Sequence, residues 1–277
     1  MASPTLLYAW ATPAFVEGSP VDHTWVTSYD NNANPYPNLA AVVAAKEDYW
    51  FCWGSFHAQG RTLGSQLGDV FLARCLVQSN ADSSTTFPAR GTIFTYGVDG
   101  VCHQLANQVL YATGINGARP LTVANANGYS VSSAIYGAYG LQHAAWRNKI
   151  AACVAATAPG PQARRPARPR QPPDPGANMS AIIPANAPDE FEERVGQVLG
   201  VGKLSLASQL LNLRAQFQAA AAAHAHSVVT PTASELNARN QRFLDDAAKL
   251  LSKSDFKAIF GVAPGESVNL VLDNPVK

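Results

Sequence analysis

Tyr96-Gly97-Val98-Asp99-Gly100-Val101-Cys102-His103-Gln104-Leu105-Ala106-Asn107 is the stretch that decides how this chain is read, because a glycine-punctuated loop runs there straight into an amphipathic helix. Leu105, Ala106, Val109 and Leu110 recur on the period of a helix pinned to a core by one face, and the helix is expected to run from Cys102 to Gly114. Cys102 stands at the join of loop and helix. Backbone N–H groups at a helix start stabilise negative charge, so a thiol placed there is biased towards thiolate. Asp99, flanked by Gly97 and Gly100, reads as a turn residue. The competing reading is that Cys102, of a residue type often buried, merely begins the apolar stripe.

Upstream of this stretch the sequence is strand-rich and aromatic. Leu6 to Trp10, Asp22 to Asp30 and Asp48 to His57 carry Trp, Tyr, Val and Thr in short runs and read as neighbouring antiparallel strands. Asn31-Asn32-Ala33-Asn34-Pro35-Tyr36-Pro37 marks a turn-rich passage between the second and third. Leu67 to Cys75 fits strand or helix, and Thr92 to Tyr96 reads as a short strand. Downstream, Tyr129 to Gly140 looks strand-like and Gln142 to Ala156 helical. The fold class expected is α+β, with a helix carrying Cys102 against an antiparallel sheet.

A sharp change of composition follows. Ala158 to Asn178 repeats proline every few residues with no hydrophobic anchor, which predicts an extended linker over residues 158–180 between an α+β domain at 1–157 and a helical domain at 181–277. Arg164, Arg165, Arg168 and Arg170 read as solubilising charge on that linker. Beyond it, Asp189, Glu190, Glu192 and Glu193 suit a helix start. Leu204, Leu210, Leu211, Leu213 and Phe217 line a long helix, Thr232-Ala233-Ser234-Glu235 is a capping-box pattern, and Ser254 is expected to cap a short turn ending at Gly261. This second part offers no cluster of catalytic residue types and reads as an accessory module for a protein partner. Its tail, Ser267 to Pro275, is expected to lie extended along a groove.

The bulk composition narrows the function classes. The chain has 277 residues, 47% of them hydrophobic, enough for a substantial core. A net charge of +1 with 14% charged residues gives no field to steer nucleic acid. Cys52, Cys75, Cys102 and Cys153 are too scattered for a disulfide framework or a Cys-x-x-Cys metal pair, so reduced thiols in a cytoplasmic protein are expected. The first twenty residues have no basic residue ahead of their short apolar run, and no stretch is long and apolar enough to span a bilayer.

A cysteine nucleophile needs a base that takes its proton. Of the six histidines, His224 and His226 fall in the alanine-rich helix across the linker, and His103 points away from its neighbour Cys102, where it caps or lines the site. His23, His57 and His143 remain. Strand alternation puts His23 and Trp25 on one face, with Trp25 placed to exclude water. A hairpin fold-back sets His23 opposite Gly54-Ser55-Phe56-His57, making Ser55 or His57 the residue that orients the imidazole. His143, at a helix start, is the alternative base.

A cysteine opening a helix against an antiparallel sheet, with histidine on one strand and a polar orienter on the next, resembles the papain-like thiol hydrolase superfamily. Because His23 precedes Cys102, the chain resembles its circularly permuted branch, which includes lecithin-retinol-acyltransferase-like proteins and cell-wall-amidase relatives. The resemblance spans roughly Val21 to Gly114. It implies peptide, amide or ester cleavage, or acyl transfer, through a thioester, with no cofactor. Cys102 matches the nucleophile, His23 the base and His57 the third residue, while His103-Gln104 stands where the amidases carry small residues. Such chemistry also needs oxyanion donors, for which the Cys102 backbone N–H and either the Tyr96 hydroxyl or the Gln104 amide are candidates. Zinc held by His23, His57, Cys102 and His103 is disfavoured by their spacing. The reading from another class is a non-catalytic scaffold whose aromatic strands form a ligand groove.

Overall fold

The computed structural model describes residues 4–14, 20–51, 56–74 apart from 72, 95–114, 120–141, 148, 152, 189–225 and 231–272. Within them β1 (Thr5–Pro13), β2 (Asp22–Thr27), β3 (Tyr49–Trp50) and β4 (Arg61–Gly68) make one antiparallel sheet in the order β3-β2-β1-β4. The described α-helices are α1 (Leu39–Ala44), α2 (Cys102–Ala112), α3 (Tyr129–Tyr136), α4 (Glu190–Leu199), α5 (Leu204–Ala225), α6 (Ala233–Leu250) and α7 (Lys253–Phe260). The architecture is α+β.

Alternation along the strands separates two unlike faces. Leu7, Ala9 and Ala11 of β1 and Val26 of β2 turn to one side, where they pack with Ala106, Val109 and Leu110 of α2. Three alanines at the contact, Ala9, Ala11 and Ala106, let the helix approach the sheet closely. The other side is aromatic: Trp10 stands opposite Trp25 in register and donates from Nε1 to Thr27 Oγ1 at 2.8 Å.

The register of β2 leaves part of its edge open. Ala14 N–H bonds to the Val21 carbonyl at 2.9 Å, so odd-numbered peptide groups of β2 turn towards β1 and those of Asp22 and Thr24 turn away. Among the described residues the strand on that side, β3, pairs only with Val26 and Thr27. The start of α2 sits against this edge at the Asp22 carbonyl.

Several expectations needed revision. Tyr129 to Gly140 was expected as a strand, yet Tyr129–Tyr136 is the helix α3, entered through Gly128 at φ 78°. All of its residues but Ser130 are buried, so no polar face remains to print a helical period on the sequence. β4 begins at Arg61, ahead of the run Leu67 to Cys75 that fitted strand or helix. Gly64, Ser65 and Gln66 are weak strand formers, and pairing with β1, broken by one register shift at Ala9/Trp10, holds them extended. The cap of α7 is Ser252, which accepts from Asp255 N–H at 3.1 Å, rather than Ser254. The strand expected through His57 is paired only at Tyr49 and Trp50, and the proline-rich segment lies outside the described residues.

The helices after residue 189 do not close a core of their own. Val101, Cys102, Leu105, Val131 and Ile135 share one hydrophobic cluster with Phe191, Leu236, Phe243, Phe260 and Val271. The tail expected in a groove instead enters this core: Val268, Leu270 and Val271 are buried, and Asn237 Oδ1 accepts from Val271 N–H at 3.0 Å. The polar counterpart of this packing is Arg214 on α5. Its guanidinium donates to the Ala134 carbonyl at 2.8 Å and the Ser133 carbonyl at 3.1 Å, pairs with Asp189 at 2.7 Å and lies 4.7 Å from the Phe191 ring centroid. A buried cation thus satisfies the carbonyl end of α3, where the helix dipole favours positive charge. Replacing it by Arg214→Met strands those carbonyls and Asp189, and is expected to lower unfolding free energy in urea by about 3 kcal/mol.

Candidate active site

Cys102 occupies the first turn of α2, whose start is closed by Gln104: its Oε1 accepts from Val101 N–H at 3.0 Å, and its Nε2 donates to the Gly137 carbonyl at 3.0 Å. The thiol is 6% exposed and donates to the Asp22 carbonyl at 3.8 Å. Burial pushes it up to about 11; the Thr24 backbone N–H, the Thr24 hydroxyl and the His103 backbone N–H pull the other way, and the nearby Asp22 charge adds to the rise. The thiolate expected from the helix start is therefore not the resting form. Desolvation outweighs the donors, and the sulfur is protonated at neutral pH.

His23 lies between the two β2 residues that touch the sulfur. Its backbone is thus alongside Cys102, while alternation carries its side chain to the aromatic face with Trp25, 5.9 Å away between ring centroids. His57 closes over both rings, 5.2 Å from His23 and 4.9 Å from Trp25. The His57 loop is fixed through its backbone, with N–H to Tyr49 Oη at 3.0 Å and the carbonyl accepting from Asn31 at 3.2 Å. Burial holds His23 well below the ordinary histidine value, with His57 and His103 lowering it further, and burial also lowers His57. The sulfur thus meets the β2 backbone at Asp22, while the His23 and His57 rings, both shifted towards the neutral form, pack with Trp25 on the aromatic face.

The residues expected as oxyanion donors have other work. The Tyr96 hydroxyl donates to the Leu270 carbonyl at 3.4 Å, and Gln104 is fully buried in the caps described above. Trp25 is fully buried, and its Nε1 has no hydrogen-bond partner among the described residues. Asp99 is the turn residue expected, accepting from Thr95 N–H at 2.8 Å. Ser55, His143, Cys52, Cys75 and Cys153 lie outside the described residues.

Sequence reasoning missed Asp22, Thr24 and Ser132. Asp22 accepts from Arg61 at 2.6 Å and from Asn127 N–H at 2.7 Å through its carboxylate, gives its own N–H to the Asn127 carbonyl at 3.0 Å, and receives both Cys102 and His103 on its carbonyl. Its place and that of Thr24, either side of His23 on an open strand edge, were signals available from pairing but not from composition. Ser132 escaped because its segment reads as a strand.

Burial also brings His103 down to about 4 from 6.5. A histidine whose folded value lies below its unfolded one stabilises the fold fully above pH 6.5, and this contribution is lost as pH falls towards 4. Equilibrium unfolding should therefore show stability falling across that window, by roughly 3 kcal/mol from His103 alone. The slope should flatten in His103→Gln.

No family model, curated protein or solved structure matches the chain. Among the described residues, no three His, Cys, Asp or Glu side chains come together as a metal site, and no helix is long and apolar enough to cross a membrane.

Proposed function

We propose that this protein is a cysteine-dependent hydrolase or acyltransferase acting on a peptide, amide or ester through a Cys102 thioester, arranged as in the circularly permuted branch of the papain-like thiol hydrolases. The observation that carries the reading is the contact of the sulfur with the strand that bears His23: the thiol donates to the carbonyl of Asp22, the residue before it, at 3.8 Å.

The chemistry follows from a neutral pair. A protonated thiol attacks the acyl carbon as its proton passes to the unprotonated His23 ring, and the S–C bond forms while the carbonyl oxygen takes up negative charge. The N–H groups opening α2 face that charge. The imidazolium returns the proton to the leaving amine or alcohol, and water or a second nucleophile then cleaves the thioester. His57, packed on Trp25 and against His23, holds the base in place as the third residue.

An activated ester offers a direct test. Incubation with p-nitrophenyl acetate should add one acetyl group to the intact mass, the adduct should vanish in Cys102→Ala, and its rate should fall about 100-fold in His23→Gln. An adduct that survives Cys102→Ala overturns the reading. The second reading, a ligand-binding scaffold, is favoured by the buried and unpartnered Trp25 Nε1 within the aromatic face. It predicts no adduct in the parent protein.

A further inference from the structure

His103 is fully buried beside Cys102, and both of its ring nitrogens are engaged. Nε2 lies 3.0 Å from the Asp22 carbonyl oxygen, and Nδ1 lies 2.7 Å from Ser132 Oγ. A carbonyl can only accept, so Nε2 carries the proton; in a neutral ring Nδ1 then accepts, so the Ser132 hydroxyl gives its one proton to Nδ1 at 2.7 Å in preference to the Tyr129 carbonyl at 3.1 Å. Gln104 Nε2 approaches the same hydroxyl oxygen at 3.4 Å. The result is a directed chain from Ser132 through His103 to Asp22. It ends on the oxygen that also receives the Cys102 thiol.

We infer that His103 is a positioning residue for the Cys102 thiol: by donating to the Asp22 carbonyl it fixes β2 against the start of α2 and occupies acceptor capacity that would otherwise hold the thiol proton. This rests on the reading of Cys102 as nucleophile and adds a residue to it. Two effects act together. Without the Nε2–H the carbonyl is left to the S–H alone, which holds the thiol proton more firmly, and β2 loses a tie to the start of α2; each disfavours ionisation of the thiol. The other groups facing the ring stay in place. They are Asp22, with its carboxylate held by Arg61, His23 on β2, and Tyr129 on α3, whose ring is 5.8 Å away and whose hydroxyl bonds to Glu190 of α4.

The test uses the full chain and follows alkylation of the Cys102 peptide by iodoacetamide across a pH series, with melting temperature and ester acylation measured in parallel. In His103→Phe the alkylation midpoint should rise by about half a pH unit, with roughly threefold slower alkylation below it. His103→Gln, whose amide N–H can reach the same carbonyl, should restore most of the rate. Ser132→Ala should shift the midpoint in the same direction by less, and it carries the test should His103→Phe fail to fold. A purely structural role for His103 lowers the melting temperature and leaves the midpoint where it is, which overturns the inference. Acylation that persists in Cys102→Ala removes the nucleophile reading instead, and the alkylation midpoints still report on His103 independently.

Discussion

Asp22 is the residue on which the arrangement turns. Its carboxylate ties β2 to Arg61 of β4 and to Asn127 ahead of α3, its N–H returns to the Asn127 carbonyl, and its own carbonyl receives Cys102 and His103 from α2. The carboxylate itself is almost fully buried, where an anion persists only if it is paired and hydrogen-bonded. β2, β4, the approach to α3 and the start of α2 thus meet at one residue. The constraint behind it is the register: among the described residues β3 pairs only with Val26 and Thr27, and the Asp22 carbonyl, turned away from β1, finds its partners elsewhere. The start of α2 provides them.

The same constraint explains the electrostatics. Packing a helix start into a strand edge removes water from the thiol and from the imidazoles together, and desolvation disfavours charge on both kinds of group. Cys102 rises while His23, His57 and His103 fall. The thiol and the imidazoles thus rest uncharged, beside an Asp22 carboxylate paired with Arg61.

Much of this was legible in the sequence wherever a single face decides the outcome. The helix at Cys102, the strands at Leu6 and Asp22, the acidic start at Asp189 and the Thr232–Glu235 cap each carry their own local signal. α3 and β4 do not. The first is buried on all sides, and the second is held extended by its partner rather than by its own residues. In the site, Cys102, His23 and His57 could be proposed from residue type, whereas the roles of Asp22, Thr24 and Ser132 come from peptide groups and from a helix that reads as a strand. Thiol ionisation also depended on burial depth, which helix position alone does not reveal.

The insertion of Val268, Leu270 and Val271 beside the Tyr96 loop bears on biosynthesis. A ribosome releases residues 268–271 only after every other part of that core has been made. The setting of Cys102 is therefore finished after translation has passed this point, and contacts between residues so far apart along the chain place its completion among the slower steps of folding.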